Sequence, residues 1–168
     1  MMAILPQRVV DAIISLCYSQ AMADSKVVES VKALEKGSAK LALASNEARS
    51  SALHAIARAI DSGRDLIHEE NRKDIERAEA EGIPASLLHR LEFSDEKIDS
   101  AIKGLEELAS LPDPIGRVRE KRELDPGFVL EKVTFPIGVI AMIFEARPDA
   151  LVQIAGLAMK SGNAVVLK

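Results

Sequence analysis

Between Ser25 and Leu111 the apolar residues recur at helical spacing. Val27, Val31 and Leu34 follow at i, i+4 and i+7, and Leu41 continues that face. Ser45 and Asn46 are good caps for a second helix, with Glu47 in its first turn near the positive end of the dipole. That helix turns Ala52, Leu53, Ile56, Ala57 and Ile60 inward and breaks at Ser62-Gly63. A third starts near Arg64, carries a charge run from Glu69 to Asp74 that reads as a solvated face, and ends at Gly82. Pro84 suits the opening of a short helix, because the first turn has no use for the missing N–H. Ser94 then caps a helix with the stripe Ile98, Ile102, Leu105 and Leu108, stopped by Pro112 and Pro114.

Beyond Pro114 the pattern changes. Arg117 to Glu123 alternates in polarity, Asp125-Pro126-Gly127 is turn material, and Phe128 to Val133 resumes an extended pattern, so a β-hairpin is predicted. Ile137 to Phe144 is apolar at nearly every position, the mark of a strand covered on both faces in a parallel sheet. A helix follows over 149–160, then a stop at Ser161-Gly162-Asn163, then a second apolar strand over 164–167. The fold class is therefore α/β: an N-terminal helical layer, a β-hairpin arm and one βαβ unit. Two such strands leave unpaired edges and an uncovered face, so this sheet is expected to be part of a larger one.

Composition narrows the function. In 168 residues, 48% are hydrophobic but only 3% aromatic, which requires an aliphatic core suited to helices and α/β layers. A net charge of −4 argues against a nucleic-acid binder, which needs a basic surface to displace counterions. No membrane span is expected. The run Ala12 to Cys17 faintly resembles a signal peptide, but Asp11 interrupts it and it is shorter than the ~20 residues a span needs. Residues 1–25 are read as an amphipathic or poorly ordered extension of open role. Cys17 is the single cysteine, so no internal disulfide is possible, and it sits on an apolar stripe without a nearby histidine. His54, His68 and His89 fall on separate helices without metal-ligand spacing, so no metal site is expected.

The chemistry points to the strand ends. A right-handed crossover makes the two strands parallel, and their carboxyl ends then share the edge at which open α/β sheets bind ligands. That edge receives Glu145-Ala146-Arg147-Pro148 after the first strand and Lys168 after the second. Arg147 falls at the start of the following helix, where the dipole and free N–H groups attract anions. A phosphate or carboxylate ligand is the electrostatic inference. A plain strand-to-helix turn, with Pro148 at the first helical position, explains the same residues. Gly156 and Gly162 lack the neighbours of a dinucleotide fingerprint or a phosphate loop.

The segments Pro136 to Asp149 and Lys160 to Lys168 resemble the signature of the γ-glutamyl phosphate reductases, also called glutamate-5-semialdehyde dehydrogenases, of the aldehyde dehydrogenase superfamily. The helical region is similar too, through Gly82-Ile83-Pro84 and the connector Leu111 to Gly116. The resemblance covers all but roughly the first 25 residues, so this chain would be the N-terminal part of such an enzyme, with an incomplete aldehyde-dehydrogenase-like sheet. Residues 26–168 would then begin the cofactor-binding domain, with helices over 26–112, the arm over 117–134 and the βαβ unit over 137–168.

The family reaction is a cytoplasmic step of proline biosynthesis, in which γ-glutamyl phosphate is reduced by NADPH to glutamate 5-semialdehyde with release of phosphate. A cysteine beyond this chain would form the thioester that accepts hydride, and Cys17 does not replace it. By the match, Lys168 falls where the superfamily has a cofactor-ribose lysine. Arg147 falls where it has an oxyanion-stabilising asparagine, and Glu145 stands beside it as a substrate-binding candidate. The hairpin resembles the superfamily's oligomerisation arm, which implies a homo-oligomer. The reading of another class is a non-catalytic helical and βαβ module that serves interaction or oligomerisation.

Overall fold

The computed structural model describes residues 25–144 and 147–167. Five helices come first: α1 Ser25–Leu43, α2 Asn46–Ser62, α3 Arg64–Ala80, α4 Ala85–Leu91 and α5 Asp95–Ser110. The hairpin β1 Val118–Asp125 and β2 Phe128–Val133 follows, then β3 Val139–Met142, α6 Pro148–Lys160 and β4 Ala164–Leu167. The boundaries obey the local chemistry. Ser45 caps α2 by accepting the Ala48 N–H at 3.2 Å, and Gly82 takes the left-handed conformation (φ 73°) that ends α3. Two expectations shift. Ser94 stands at the N-cap of α5, but its hydroxyl bonds no helix N–H, and Pro84 sits just outside α4 with ψ 143° rather than inside its first turn.

The core lies where α2 and α5 face each other. Leu53 and Ile98 are wholly buried, and Ala57, Ala101, Leu105 and Ala109 complete the aliphatic interior around them. Fully burying a Leu or Ile side chain stabilises by about 1.5–3 kcal/mol, so these two positions carry much of the layer. Phe93 closes one end, and Asn71 of α3 fixes it: Asn71 Nδ2 donates to the Leu91 carbonyl at 2.9 Å, and Oδ1 accepts the Phe93 N–H at 2.8 Å. Helix α3 has no buried residue, as its charge run predicts. Arg64 ties it to α5 through Asp95 and Asp99, and the hydrogen bonds to Asp99, foremost, and to Asp61 raise the Arg64 pKa. The His68 hydrogen bond, foremost, holds Asp95 below the usual carboxylate range.

Helix α6 joins this layer to the sheet. Gly156 lets it approach closely: a Cβ there would stand 2.7 Å from Leu105 Cδ2 and 3.3 Å from Leu108 Cδ2. Four residues on, the Lys160 side chain reaches into the seam and is 3% exposed. Its ammonium donates to Ser50 Oγ of α2 and to the Ala109 carbonyl of α5, each at 3.0 Å. Ser50 Oγ donates to the same carbonyl at 2.9 Å, so three helices meet at one polar point. Beside it Arg49, 2% exposed, donates to the Ala44 carbonyl and pairs with Asp113 Oδ1, both at 2.6 Å. Asp113 also accepts the Ile115 N–H, which fixes the connector leading to the hairpin.

The sheets are small. β1 and β2 pair antiparallel, and every residue of both is exposed. β3 and β4 pair in parallel, Val139 opposite Ala164 through Met142 opposite Leu167, with α1 and α6 against them. The strand predicted over 137–144 is correspondingly corrected to 139–142. It is not covered on both faces: Ile137 and Ile143 are 82% and 78% exposed. Among the described residues β3 pairs with β4 alone, and the apolar pattern exceeds what one neighbour and two helices cover.

Burial without a carboxylate partner lowers the Lys160 pKa from its ordinary value of 10.5, chiefly by desolvation, with Asp113 acting weakly against it. Between the folded value and 10.5 the unfolded chain then binds more protons, so unfolding free energy rises with pH through that window and is smaller below it. Lys160→Met removes this slope. Urea unfolding at a series of pH values should show the native chain gaining on the Met variant as pH rises toward 10.5; a gap that narrows with pH would refute the buried ammonium.

Candidate functional site

The parallel register sets the geometry of the proposed edge. Met142 pairs with Leu167, so the residues after each strand emerge on one side. The opposite end of the pair is pinned by Asn163, which is 6% exposed. Its Oδ1 accepts the Gly138 N–H at 2.9 Å, while Nδ2 donates to the Ser161 carbonyl and to Ser161 Oγ. The Ala164 N–H donates back to the Gly138 carbonyl at 2.9 Å, starting the ladder. Gly162, at φ 73°, must be glycine for the chain to turn from α6 into β4. A Cβ there would also stand 2.7 Å from Ile115 Cδ1 and 3.0 Å from Pro136 Cγ.

Arg147 occupies the N-cap position of α6, directly before Pro148. Its side chain is 58% exposed and its guanidinium stands 3.4 Å from Asp149 Oδ2, which is 20% exposed. Pro148 has no N–H, and the Ala150 N–H donates to the Arg147 carbonyl at 3.1 Å. The contact of the guanidinium with Asp149 is of the exposed kind worth about 0.2–1 kcal/mol. Glu145 and Lys168, the other two candidates, lie outside the described residues, as do Cys17 and the signal-like run near it. Arg147 is thus the one candidate whose surroundings are described.

Other parts of the molecule offer little chemistry. His54, His68 and His89 lie on α2, α3 and α4, and among the described residues no cluster of three His, Cys, Asp or Glu has metal-holding geometry. No helix among them is long and apolar enough to cross a membrane. A groove of about 580 Å³ runs between α5 and α6 past Leu108, Leu111 and Leu157, and Arg147 is not part of its wall.

No family model matches the chain. Curated relatives do. The γ-glutamyl phosphate reductase of Nostoc punctiforme is 46% identical over 144 residues, 86% of this chain and 33% of the relative. That of Pelotomaculum thermopropionicum is 49% identical over 140 residues, 83% of this chain and 32% of the relative. The chain is homologous to the γ-glutamyl phosphate reductases. Crystal structures of two such reductases agree in fold. The one from Saccharomyces cerevisiae gives a TM-score of 0.78 at 40% identity, over 82% of this chain and 35% of that one. The one from Thermotoga maritima gives 0.78 at 36% identity, over 83% and 34%. The chain spans about a third of the length of these reductases, which accords with a two-stranded sheet flanked by exposed Ile137 and Ile143.

Sequence reasoning missed Lys160, Arg49 and Asn163, the buried polar residues that hold α6 and the strand pair. A lysine directly after the apolar run Leu157 to Met159 is the one signal that was available. Asn163→Ala should lower stability by about 1–3 kcal/mol, the cost of leaving the Gly138 N–H without its acceptor. Denaturant unfolding checks it, and a change under about 0.5 kcal/mol, the range of ordinary surface substitutions, would contradict the pinning role.

Proposed function

We propose that this chain forms the N-terminal part of an NADPH-dependent γ-glutamyl phosphate reductase acting in cytoplasmic proline biosynthesis. In this reading residues 1–25 are an extension and residues 26–168 begin the cofactor-binding domain. The observation that carries the proposal is the position of Arg147: a half-exposed guanidinium at the N-cap of α6, in the connection that leads from the carboxyl end of β3 into that helix. The support from relatives is the 46–49% identity to reductases named for this substrate.

Arg147 binds the acyl phosphate through charge-assisted N–H donors, or steadies the oxyanion that develops at the γ-carbon. The contact with Asp149 keeps the guanidinium near the helix end until a more highly charged phosphate replaces that carboxylate. Glu145 is the second substrate-binding candidate. Lys168, next in sequence after Leu167, is the candidate donor to the ribose hydroxyls of the dinucleotide. Bound NADPH supplies the hydride. The thioester-forming cysteine belongs to residues beyond this chain. The exposed hairpin, with Phe128 and Leu130 62% and 57% exposed, is the arm through which the complete enzyme forms a homo-oligomer.

The purified 168-residue chain should show no NADP-dependent turnover of glutamate 5-semialdehyde plus phosphate, and measurable turnover would contradict a nucleophile outside it. In a version extended through the downstream cysteine, Arg147→Ala should depress kcat/KM by roughly 10²-fold, the usual cost of losing an oxyanion donor. Lys32→Ala, on an exposed turn of α1, should leave it unchanged. Equal effects would favour the turn-only role of Glu145 to Pro148. An extended version that binds its own copies but reduces nothing would favour the interaction module.

A further inference from the structure

Helix α5 buries one side and leaves another open. Ile98, Ala101, Leu105 and Ala109 face the core, while Ser100, Lys103, Gly104 and Glu107, with Leu111 at the C-cap, are exposed. At 100° per residue these five fall within one arc of about 100°. All of them line the groove of about 580 Å³ that α5 forms with α6, where Leu157 stands on the other wall. Leu111 and Leu157 are 54% and 58% exposed, so both walls carry a bare apolar side chain. Gly104 sits midway along the stripe. Glycine in a helix interior costs stability relative to alanine, and at Gly156 packing explains it, since a Cβ there would strike Leu105. A Cβ on Gly104 meets nothing within 4 Å. This wall is low toward the outside, where another helix can come close.

We propose that the α5 stripe of a second copy of this chain fills the groove, antiparallel to the first. Spacing and charge select this occupant. Positions 100, 104, 107 and 111 are separated by four, three and four residues, so the stripe reads the same in both directions. A two-fold axis passing between residues 105 and 106 therefore sets Ser100 against Leu111 of the copy and Gly104 against its Glu107. Lys103 and Glu107 stand one turn apart, 76% and 68% exposed, with their charged atoms 3.8 Å from each other. Reversal brings each Lys103 beside the Glu107 of the copy. A parallel pairing about a two-fold axis stacks lysine on lysine and glutamate on glutamate, which like-charge repulsion opposes. Among the described residues that line the groove none belongs to β1 or β2. The surface is therefore additional to the hairpin arm and independent of the reductase reading.

Sedimentation equilibrium of the whole chain at low salt, where surface charges are least screened, tests this directly. Lys103→Glu and Glu107→Lys should each raise the dimer dissociation constant at least tenfold, and the two together should restore it to within threefold. Gly104→Leu should also raise it at least tenfold. Its melting temperature, taken at a concentration where both chains are monomeric, should not fall, which separates lost association from lost folding. The register is read from chains that carry Cys17→Ser, to remove the single native thiol, and either Ser100→Cys or Leu111→Cys. When the two are mixed and mildly oxidised, the 100–111 disulfide should exceed either same-site disulfide at least fivefold. A chain that stays monomeric, or a dimer indifferent to these charges, as association through the hairpin alone would be, overturns the proposal. So does a double exchange that fails to recover, or a dominance of same-site disulfides. Loss of the charge dependence in a version extended past Lys168 would assign the groove to the added residues, which also overturns it. None of these outcomes bears on Arg147.

Discussion

Everything on the sheet side of this molecule depends on how α6 is held against α2 and α5. The close approach at Gly156 supplies the packing, and the Lys160 ammonium supplies the direction, since it must find Ser50 Oγ and the Ala109 carbonyl together. A buried ammonium is expensive, and two neutral oxygens offset only part of its desolvation. It is tolerable because the aliphatic layer around Leu53 and Leu105 is rigid enough to present both acceptors at bonding distance.

The same seam carries order outward in two directions. Through Arg49 and Asp113 it fixes the connector after α5. From there Thr134 holds the base of the hairpin, donating to the Pro114 carbonyl at 2.6 Å and accepting the Arg117 N–H at 2.9 Å. Through Ser161 to Asn163 it sets the start of β4 against Gly138, and hence the register that brings the two strand ends to one edge. Arg147 at one end of α6 and Lys160 at the other are thus oriented by a single rigid element.

Most of this fold was legible in the sequence. The caps and stops at Ser45, Gly63 and Gly82 lie where turn chemistry puts them, and the stripes on α2 and α5 face the core as their 3.6-residue period requires. The expectation of a doubly covered β3 erred because an apolar run records the environment of a whole sheet, and the described residues contain two of its strands. The parallel pairing of β3 with β4 was readable from the βαβ pattern. The polar seam was not: Lys160 and Arg49 resemble surface residues in sequence, and their partners Ala109 and Asp113 lie more than fifty residues away.

If α6 is locked to the helical layer as described, the two should open together. Native-state hydrogen exchange on the chain measures this directly. The amides of Leu53 and Leu105 and those of residues 154–158 in α6 should exchange through a common opening, with the same free energy and the same denaturant dependence. Exchange of the α6 amides through a separate opening, while Leu53 and Leu105 remain protected, would contradict the account.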